Sequence, residues 1–280
     1  MSFPAELQTR EQFTAAYDNS AAVPDAAEVL ASLRGRSEAF HEAHACAVDV
    51  AYGDQPRQVY DWYAAGRADA AAPVLVFLHG GYWQARTRRE FCCVAAGARE
   101  AGMHVVLGEY TLAPQARLGD MVAEVGMLLD ALDAHPVLGR AGADAPPRVV
   151  LCGHSAGAHL AVMHRHHPAL AGVVAISGLF DLEPIRRGAL NDALRLDSDE
   201  ARACSPLHRI GPGAPTLVAV GDAELPELQR QSLVYADALR AAGERVRLLR
   251  VAQANHFTIL AQLESREGTL LAAAIELAMG

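Results

Sequence analysis

The stretch that decides the fold is RVVLCGHSAGAHL, residues 148–160. An apolar run typical of a buried strand leads into GHSAG, and a stretch typical of a helix follows at once. Ser155 stands between two glycines, as expected where a sharp turn from strand to helix leaves no room for neighbouring Cβ atoms. GxSxG in this setting predicts a nucleophilic serine held clear of a sheet. The alternative is a serine that only caps the helix.

Apolar runs alternate with helical patterns along the rest of the chain. Strands are predicted at CAVDVAYG, RQVYDWYA, APVLVFLHG, HVVLGEY, LAGVVAISGLFDL, PTLVAVGDAE and RVRLLRVA. Helices are predicted over residues 11–43, 88–101, 120–134, 226–242 and 257–278. This alternation predicts an α/β fold with a mostly parallel sheet and helices on both faces. We expect a helical arm over 1–43 and one α/β domain over 44–280, with a small cap or insertion at 183–212.

Composition restricts the classes of function. The 280 residues are 51% hydrophobic, carry a formal net charge of −9 and include no lysine. The absence of lysine excludes Schiff-base chemistry, pyridoxal phosphate attachment and Walker A phosphate binding. The scattered acidic charge argues against a nucleic-acid or anionic-membrane partner, so the expected partner is a small molecule.

The ends and the cysteines of the chain indicate its compartment. The first residues lack the pattern of a signal peptide, and no apolar run reaches the length of a membrane span. The five cysteines are odd in number and show no CxxC spacing, which argues against disulfides or a zinc site. We therefore expect a cytoplasmic protein with reduced cysteines and no metal or cofactor. A homodimer is compatible with the sequence.

A serine nucleophile needs a base, and the sequence offers one late in the chain. His256 follows the predicted strand RVRLLRVA directly, where a hydrolase with the order serine, acid, histidine would carry it. The alternative is a histidine that caps the next helix. A second group, His164, His166 and His167, could suggest a metal, but it lies at the expected end of a helix, where solvated histidines are favourable.

The acid is expected after the strand PTLVAVG, where three carboxylates compete. Glu227 should already lie inside the next helix, which leaves Asp222 and Glu224. Spacing alone does not decide between these two.

The segment FLHGGYW, residues 77–83, supplies the third part of a predicted active site. A glycine pair after a strand can turn backbone N–H groups toward a tetrahedral oxyanion. Gly81 and Tyr82 are the predicted donors, joined by the N–H of Ala156, which follows the nucleophile.

These motifs, with YTLAP, ISGLFDLEP, PELQRQS and NHFTIL, resemble the serine-dependent kynurenine formamidases (arylformamidases) and their bacterial esterase relatives, which have the α/β-hydrolase fold. The resemblance runs from about residue 17 to about residue 263. It implies that Glu224 is the acid, with glutamate in place of the family's usual aspartate. It also implies a substrate pocket lined by Tyr82, Trp83 and Phe180, for which core packing is the alternative.

The sequence thus predicts a cofactor-free serine hydrolase that cleaves small esters or aryl formamides similar to N-formylkynurenine. Ser155 would attack the carbonyl, His256 would move the proton, and Glu224 would orient His256. The alternative keeps the fold without hydrolysis, as a ligand-binding protein or a lyase. Such relatives usually lack a member of the triad, whereas all three positions are filled here.

Overall fold

The structure, a computed structural model, describes residues 7–67, 72–135, 137–138 and 148–280. Within these ranges the chain forms one sheet of eight strands in the order β1-β2-β4-β3-β5-β6-β7-β8. The strands are β1 Ala47–Ala51, β2 Val59–Tyr63, β3 Val74–Leu78, β4 His104–Gly108, β5 Val149–His154, β6 Leu170–Ile176, β7 Thr216–Gly221 and β8 Val246–Val251. Strands β1 and β2 are antiparallel to their neighbours, and the remaining six are parallel to one another.

Helices cover both faces of the sheet. They are α1 Arg10–Ala15, α2 Asn19–Ala22, α3 Ala26–His44, α4 Ala95–Glu100, α5 Leu118–Asp133, α6 Ala156–Met163, α7 Glu183–Arg187, α8 Asn191–Leu194, α9 Ser198–Ala203, α10 Pro226–Ala241, α11 Ala261–Glu264 and α12 Thr269–Met279. Short 3₁₀ helices span Arg88–Val94, Pro206–His208 and Thr258–Leu260. No helix in the described ranges is long and apolar enough to cross a membrane.

The alternation of side chains along β3 shows why the sheet needs helices on both faces. All five residues of β3 are buried. Val76 and Leu78 pack into the core that also holds residues of α5, α6 and α10. Leu75 and Phe77 pack into the opposite core with residues of α3, α4 and α12. A strand that is buried on both faces reads as a continuous apolar run, which is the pattern VLVFL.

The predicted helix over 257–278 is divided in the structure. Residues 258–264 form a 3₁₀ turn and α11, and α12 begins only at Thr269. Gly268 lies so close to the preceding turn that a Cβ there would come within 2.1 Å of the carbonyl oxygen of Gln262. The chain therefore turns back at this glycine, and the periodicity of apolar residues on either side did not reveal the break.

The parallel strands bring distant parts of the sequence to one edge of the sheet. Because β3, β5, β7 and β8 run in the same direction, the segments that follow them meet at the carboxyl edge. Residues 79–83, 155–157, 222–224 and 252–256 are these segments. The predicted α/β-hydrolase fold, with a mostly parallel sheet covered on both faces, is confirmed.

Candidate active site

Ser155 occupies the turn between β5 and α6 in a strained backbone conformation. Its φ of 56° and ψ of −117° lie outside the regions that ordinary residues adopt. Its N–H donates to the carbonyl of Ile176 over 2.8 Å, which ties the turn to strand β6. The side chain makes no capping hydrogen bond to the helix that it precedes. The hydroxyl is thus not used as an N-cap.

The two glycines of GHSAG are required by close packing. A Cβ on Gly157 would come within 2.1 Å of the carbonyl oxygen of Leu78, the last residue of β3. A Cβ on Gly153 would come within 2.2 Å of the carbonyl oxygen of Gly157 itself. Only glycine at both positions lets α6 begin against the end of the neighbouring strand.

His256 contacts a carboxylate rather than a helix end. Its Nδ1 lies 2.7 Å from Oε2 of Glu224, and both side chains are buried. The adjacent Asn255 caps the following turn, because its Oδ1 accepts from the N–H groups of Phe257 and Thr258. Asn255, and not His256, therefore caps this turn.

The carboxylate of Glu224 is held by donors on both oxygens. Oε1 accepts from the hydroxyl of Ser177 over 2.6 Å and from the N–H of Gly221 over 2.7 Å, while Oε2 faces His256. Ser177 is fully buried, with a positive φ of 54°, at the end of β6. These contacts fix the glutamate so that its longer side chain reaches the imidazole.

The two competing carboxylates have other partners. Asp222 is exposed and accepts a hydrogen bond from the N–H of Gln253 over 2.6 Å. Glu227 lies in the first turn of α10 and accepts from the hydroxyl of Tyr17 and from Arg230. Of the three carboxylates, Glu224 is the one in contact with His256.

The loop after β3 has the features expected of an oxyanion site. Tyr82 and Trp83 have positive φ values of 48° and 59°, which are unusual for residues with side chains. The backbone hydrogen bonds of the described residues make no use of the N–H groups of Gly81 and Tyr82. Ala156 is the first residue of α6, where helical N–H groups lack an intrahelical acceptor. The three predicted donors thus stay available.

A buried ion network supports this loop. The two ring nitrogens of His79 lie 2.7 Å from the carbonyl of Gly80 and 2.6 Å from Glu109, and both partners only accept. Both ring nitrogens of His79 therefore face acceptors. Burial would raise the pKa of Glu109, but His79 and Arg57 outweigh it and hold that pKa below its ordinary value. Donation to the Gly80 carbonyl also polarises the peptide whose N–H belongs to Gly81.

Ser155 and His256 open onto one cavity of about 420 Å³. This volume is within the range of roughly 300–1,000 Å³ that is usual for small-molecule sites. Its walls include aromatic residues from four parts of the chain, Tyr17, Tyr82, Phe91 and Phe257. The N-terminal segment contributes a large share of the wall, from Thr14 in α1 to Leu33 in α3.

Two of the three aromatic residues predicted to line the pocket lie elsewhere, which corrects that prediction. Trp83 is fully buried and packs its ring edge-on against His159, with ring centroids 5.0 Å apart. Phe180 stacks on Tyr235 at 4.3 Å with nearly parallel rings. Neither lines the cavity, whereas Tyr82 does. The positive φ at Trp83 turns its side chain into the core, which a pattern of residue types does not show.

Buried histidines surround the site. Burial and the neighbouring His256 hold the pKa of His154 well below its ordinary value. The neutral ring of His154 donates from Nε2 to the carbonyl of His256 over 2.8 Å, which fixes the loop that carries the predicted base. His164, expected to be solvated, is instead buried and bonded to the carbonyl of Val122, because the end of α6 packs against α5.

The comparisons with known proteins agree with this architecture. The chain belongs to the alpha/beta hydrolase fold family, whose model matches residues 75–260. It is 28% identical to the kynurenine formamidase of Danio rerio over 84% of this chain and 82% of that protein. It is 29% identical to the kynurenine formamidase of Salmo salar over 77% of this chain and 76% of that protein. The resemblance drawn from the motifs is confirmed, and the chain is an enzyme of the hydrolase class.

Solved structures of other proteins superpose on this fold. A protein from Silicibacter sp., provisionally described as a thioesterase, superposes with a TM-score of 0.81 and 27% identity, covering 94% of this chain and 98% of its own. An esterase from Pyrobaculum calidifontis superposes with a TM-score of 0.68 and 17% identity, covering 96% and 97%. At that identity the second likeness shows the fold alone.

Sequence reasoning missed several residues around the site. Ser177 lies in ISGLFDLEP, a motif that carried the resemblance, but nothing in its pattern shows a contact with Glu224. His79 begins HGGYW, yet its partner Glu109 is 30 residues away on the neighbouring strand end. The wall residues of the N-terminal segment carried no signal that separates them from an ordinary helical arm.

His159, the last residue of GHSAGAH, is buried, and its burial predicts a loss of stability in acid. Burial lowers the pKa of His159 to about 4, below the value of about 6.5 expected in the unfolded chain. The unfolded state therefore binds the proton first, and stability falls as the pH drops from about 6.5 toward 4. This histidine alone should lower the free energy of unfolding by about 2 kcal/mol between pH 7 and pH 5.

Urea unfolding of wild type and His159→Gln at both pH values measures this contribution. Glutamine can still donate to the carbonyl of Cys204, which His159 Nε2 contacts over 2.7 Å, but it does not titrate. The pH-dependent loss should shrink by about 2 kcal/mol. Ala161→Gly, in the same helix, controls for general destabilisation and should keep the wild-type pH dependence. Equal pH dependence in wild type and His159→Gln would contradict the assignment.

Proposed function

We propose that this chain is a serine hydrolase that cleaves aryl formamides and small carboxylic esters through an acyl-enzyme. The observation that carries the proposal is the contact between Glu224 and His256 beside the strained turn of Ser155, on one cavity. A turn of this kind holds a hydroxyl clear of the sheet, and an oriented imidazole can take its proton. The kynurenine formamidase relatives support a carbonyl substrate of the ester or formamide type.

The first half of the reaction forms the acyl-enzyme. Ser155 Oγ attacks the carbonyl carbon while His256 Nε2 accepts the hydroxyl proton. Glu224 holds Nδ1–H and stabilises the imidazolium that forms. The negative oxygen of the tetrahedral intermediate accepts from the N–H groups of Gly81, Tyr82 and Ala156. His256 then returns the proton to the leaving amine or alcohol as the carbonyl re-forms.

The second half releases the acyl group. His256 takes a proton from a water molecule, whose oxygen attacks the acyl carbon and regenerates the oxyanion. Collapse of this intermediate breaks the bond to Ser155 Oγ, which recovers its proton from His256. A formamide substrate thus yields an amine and formate, and an ester yields an alcohol and a carboxylic acid.

Replacement of Ser155 tests the nucleophile. Wild type should hydrolyse p-nitrophenyl acetate without added metal. Ser155→Ala should lower kcat/KM by about 10⁴-fold or more, because His256 and Glu224 cannot form an acyl-enzyme without the serine. Intact-protein mass spectrometry of quenched wild type should show an acetyl adduct that Ser155→Ala lacks. Undiminished turnover by the variant, or full loss of wild-type activity in EDTA, would contradict the proposed serine mechanism.

The identity of the acid is tested by matched amide substitutions. Glu224→Gln removes the charge opposite His256 and allows the wrong tautomer, so kcat should fall by about two to four orders of magnitude. Asp222→Asn makes the same chemical change two residues away, at an exposed carboxylate without contact to His256. Its kcat should stay within about threefold of wild type. The reverse ranking would move the acid to Asp222.

A comparison of substrates tests the formamide part of the proposal. Tyr82 on the proposed oxyanion loop, together with Tyr17, Phe91 and Phe257, offers aromatic surface on the cavity walls for an anilide ring. We therefore expect N-formylkynurenine to be hydrolysed with a kcat/KM at least comparable to that of phenyl acetate on the same preparation. A kcat/KM for N-formylkynurenine below about a thousandth of that for phenyl acetate corresponds to a difference of about 4 kcal/mol in transition-state binding. That result would contradict the formamidase activity and leave carboxylesterase activity as the proposed function.

A further inference from the structure

The N-terminal segment places two polar side chains on the cavity wall that the proposed chemistry does not use. Asp18 and Asn19 both line the cavity shared by Ser155 and His256. Asp18 is exposed at the wall, whereas Asn19 is only 5% exposed. Both stand where α2 begins, and Asn19 is joined through the Tyr82 hydroxyl to the proposed oxyanion loop.

A chain of hydrogen bonds fixes the orientation of the Asn19 amide. The hydroxyl of Tyr82 lies 2.6 Å from the carbonyl of Tyr17, which can only accept, so Tyr82 donates its single proton there. The Tyr82 oxygen must then accept from Asn19, 2.8 Å away. Nδ2 of Asn19 therefore faces Tyr82, and Oδ1 is directed to the other side.

Oδ1 of Asn19 is a buried acceptor. No hydrogen-bond partner for it exists within the described part of the chain. A buried acceptor left unpaired costs free energy, which a ligand that brings a donor recovers. The side chain can thus accept a hydrogen bond that the described residues do not supply.

Asp18 adds a negative charge to the wall of the same cavity. Its Oδ1 accepts from the N–H of Ala21 over 3.0 Å, which holds the carboxylate at the start of α2. Burial chiefly raises the pKa of Tyr82, and the charges of Glu224 and Asp18 raise it further. Arg86, which also lines the cavity, is paired with Glu90.

We propose that Asp18 and Asn19 recognise a primary ammonium group of the substrate. An ammonium carries three donors and a positive charge, so it satisfies Oδ1 of Asn19 and pairs with the carboxylate of Asp18 at the same time. The proposal rests on the proposed function and narrows its substrates to aryl formamides or esters that bear an aliphatic amino group.

The geometry of Tyr82 assigns the ammonium to the leaving group. The backbone N–H of Tyr82 is a donor to the proposed oxyanion, and its hydroxyl contacts Asn19. The recognised group is thus about one tyrosine side chain away from the acyl carbon. A formyl group is too small to span that distance, so the ammonium lies at the far end of the part released as an amine.

Binding of the amine product tests this site without need of turnover. Isothermal titration calorimetry compares kynurenine with 4-(2-aminophenyl)-4-oxobutanoate, which differs only in lacking the α-amino group. Wild type should bind kynurenine at least tenfold more tightly than the desamino compound. Asn19→Leu and Asp18→Asn should each bring the ratio of the two dissociation constants close to one.

A matched control separates recognition from general effects of charge. Asp25→Asn makes the same change in charge seven residues further along, at an exposed side chain that makes no capping hydrogen bond. It should keep the wild-type ratio. Asp18→Asn retains an acceptor for the N–H of Ala21, so it tests the site even if Asn19→Leu fails to fold.

The outcomes separate this inference from the proposed function. A ratio near one in wild type, no measurable binding of kynurenine, or an unchanged ratio in both Asp18→Asn and Asn19→Leu would overturn the ammonium site. Failure of the proposed function would appear instead as esterase activity that does not depend on Ser155, with the binding ratios as expected.

Discussion

The close approach of the turn at Ser155 to the end of β3 is the constraint on which the site depends. Helix α6 can begin against Leu78 only because Gly157 has no side chain, since a Cβ there would lie 2.1 Å from the Leu78 carbonyl oxygen. The next residues after Leu78 form the proposed oxyanion loop. One steric condition therefore sets the serine hydroxyl, the start of α6 and the N–H groups of Gly81 and Tyr82 within one small region.

Around this contact, buried polar side chains form the hydrogen bonds that fix the loops of the site. His79 and Glu109 support the oxyanion loop, and His154 supports the loop of His256 through its backbone carbonyl. Ser177 supports Glu224. All four supporting side chains are buried. His79 and Glu109 have further partners in the Gly80 carbonyl and Arg57, whereas Nδ1 of His154 has none within the described residues. Pre-organisation of this kind lets a site act without rearranging its dipoles during the reaction.

The N-terminal segment is part of the pocket rather than a covering distant from it. Tyr17 bonds to Glu227 and Gln231 on α10, and its carbonyl accepts from Tyr82 on the oxyanion loop. These contacts join the first helices to two separate parts of the sheet edge. A wall built from such a segment can change the substrate preference without changing the residues proposed to react, because those residues lie on other elements.

The sequence by itself determined the fold class and the residues proposed to react. Buried parallel strands need continuous apolar runs, and a sharp turn needs glycines, so GHSAG, HGGYW and NHFTIL could each be recognised locally and ordered along the chain. Local spacing left Asp222 and Glu224 open, and only the resemblance to a family favoured Glu224. The tertiary structure decided what depends on where side chains point: the contact of Glu224 with His256, the burial of Trp83 and Phe180, and the place of Asn19 on the cavity wall. These features arise from backbone angles and from packing between segments far apart in sequence, which a pattern of residue types does not encode.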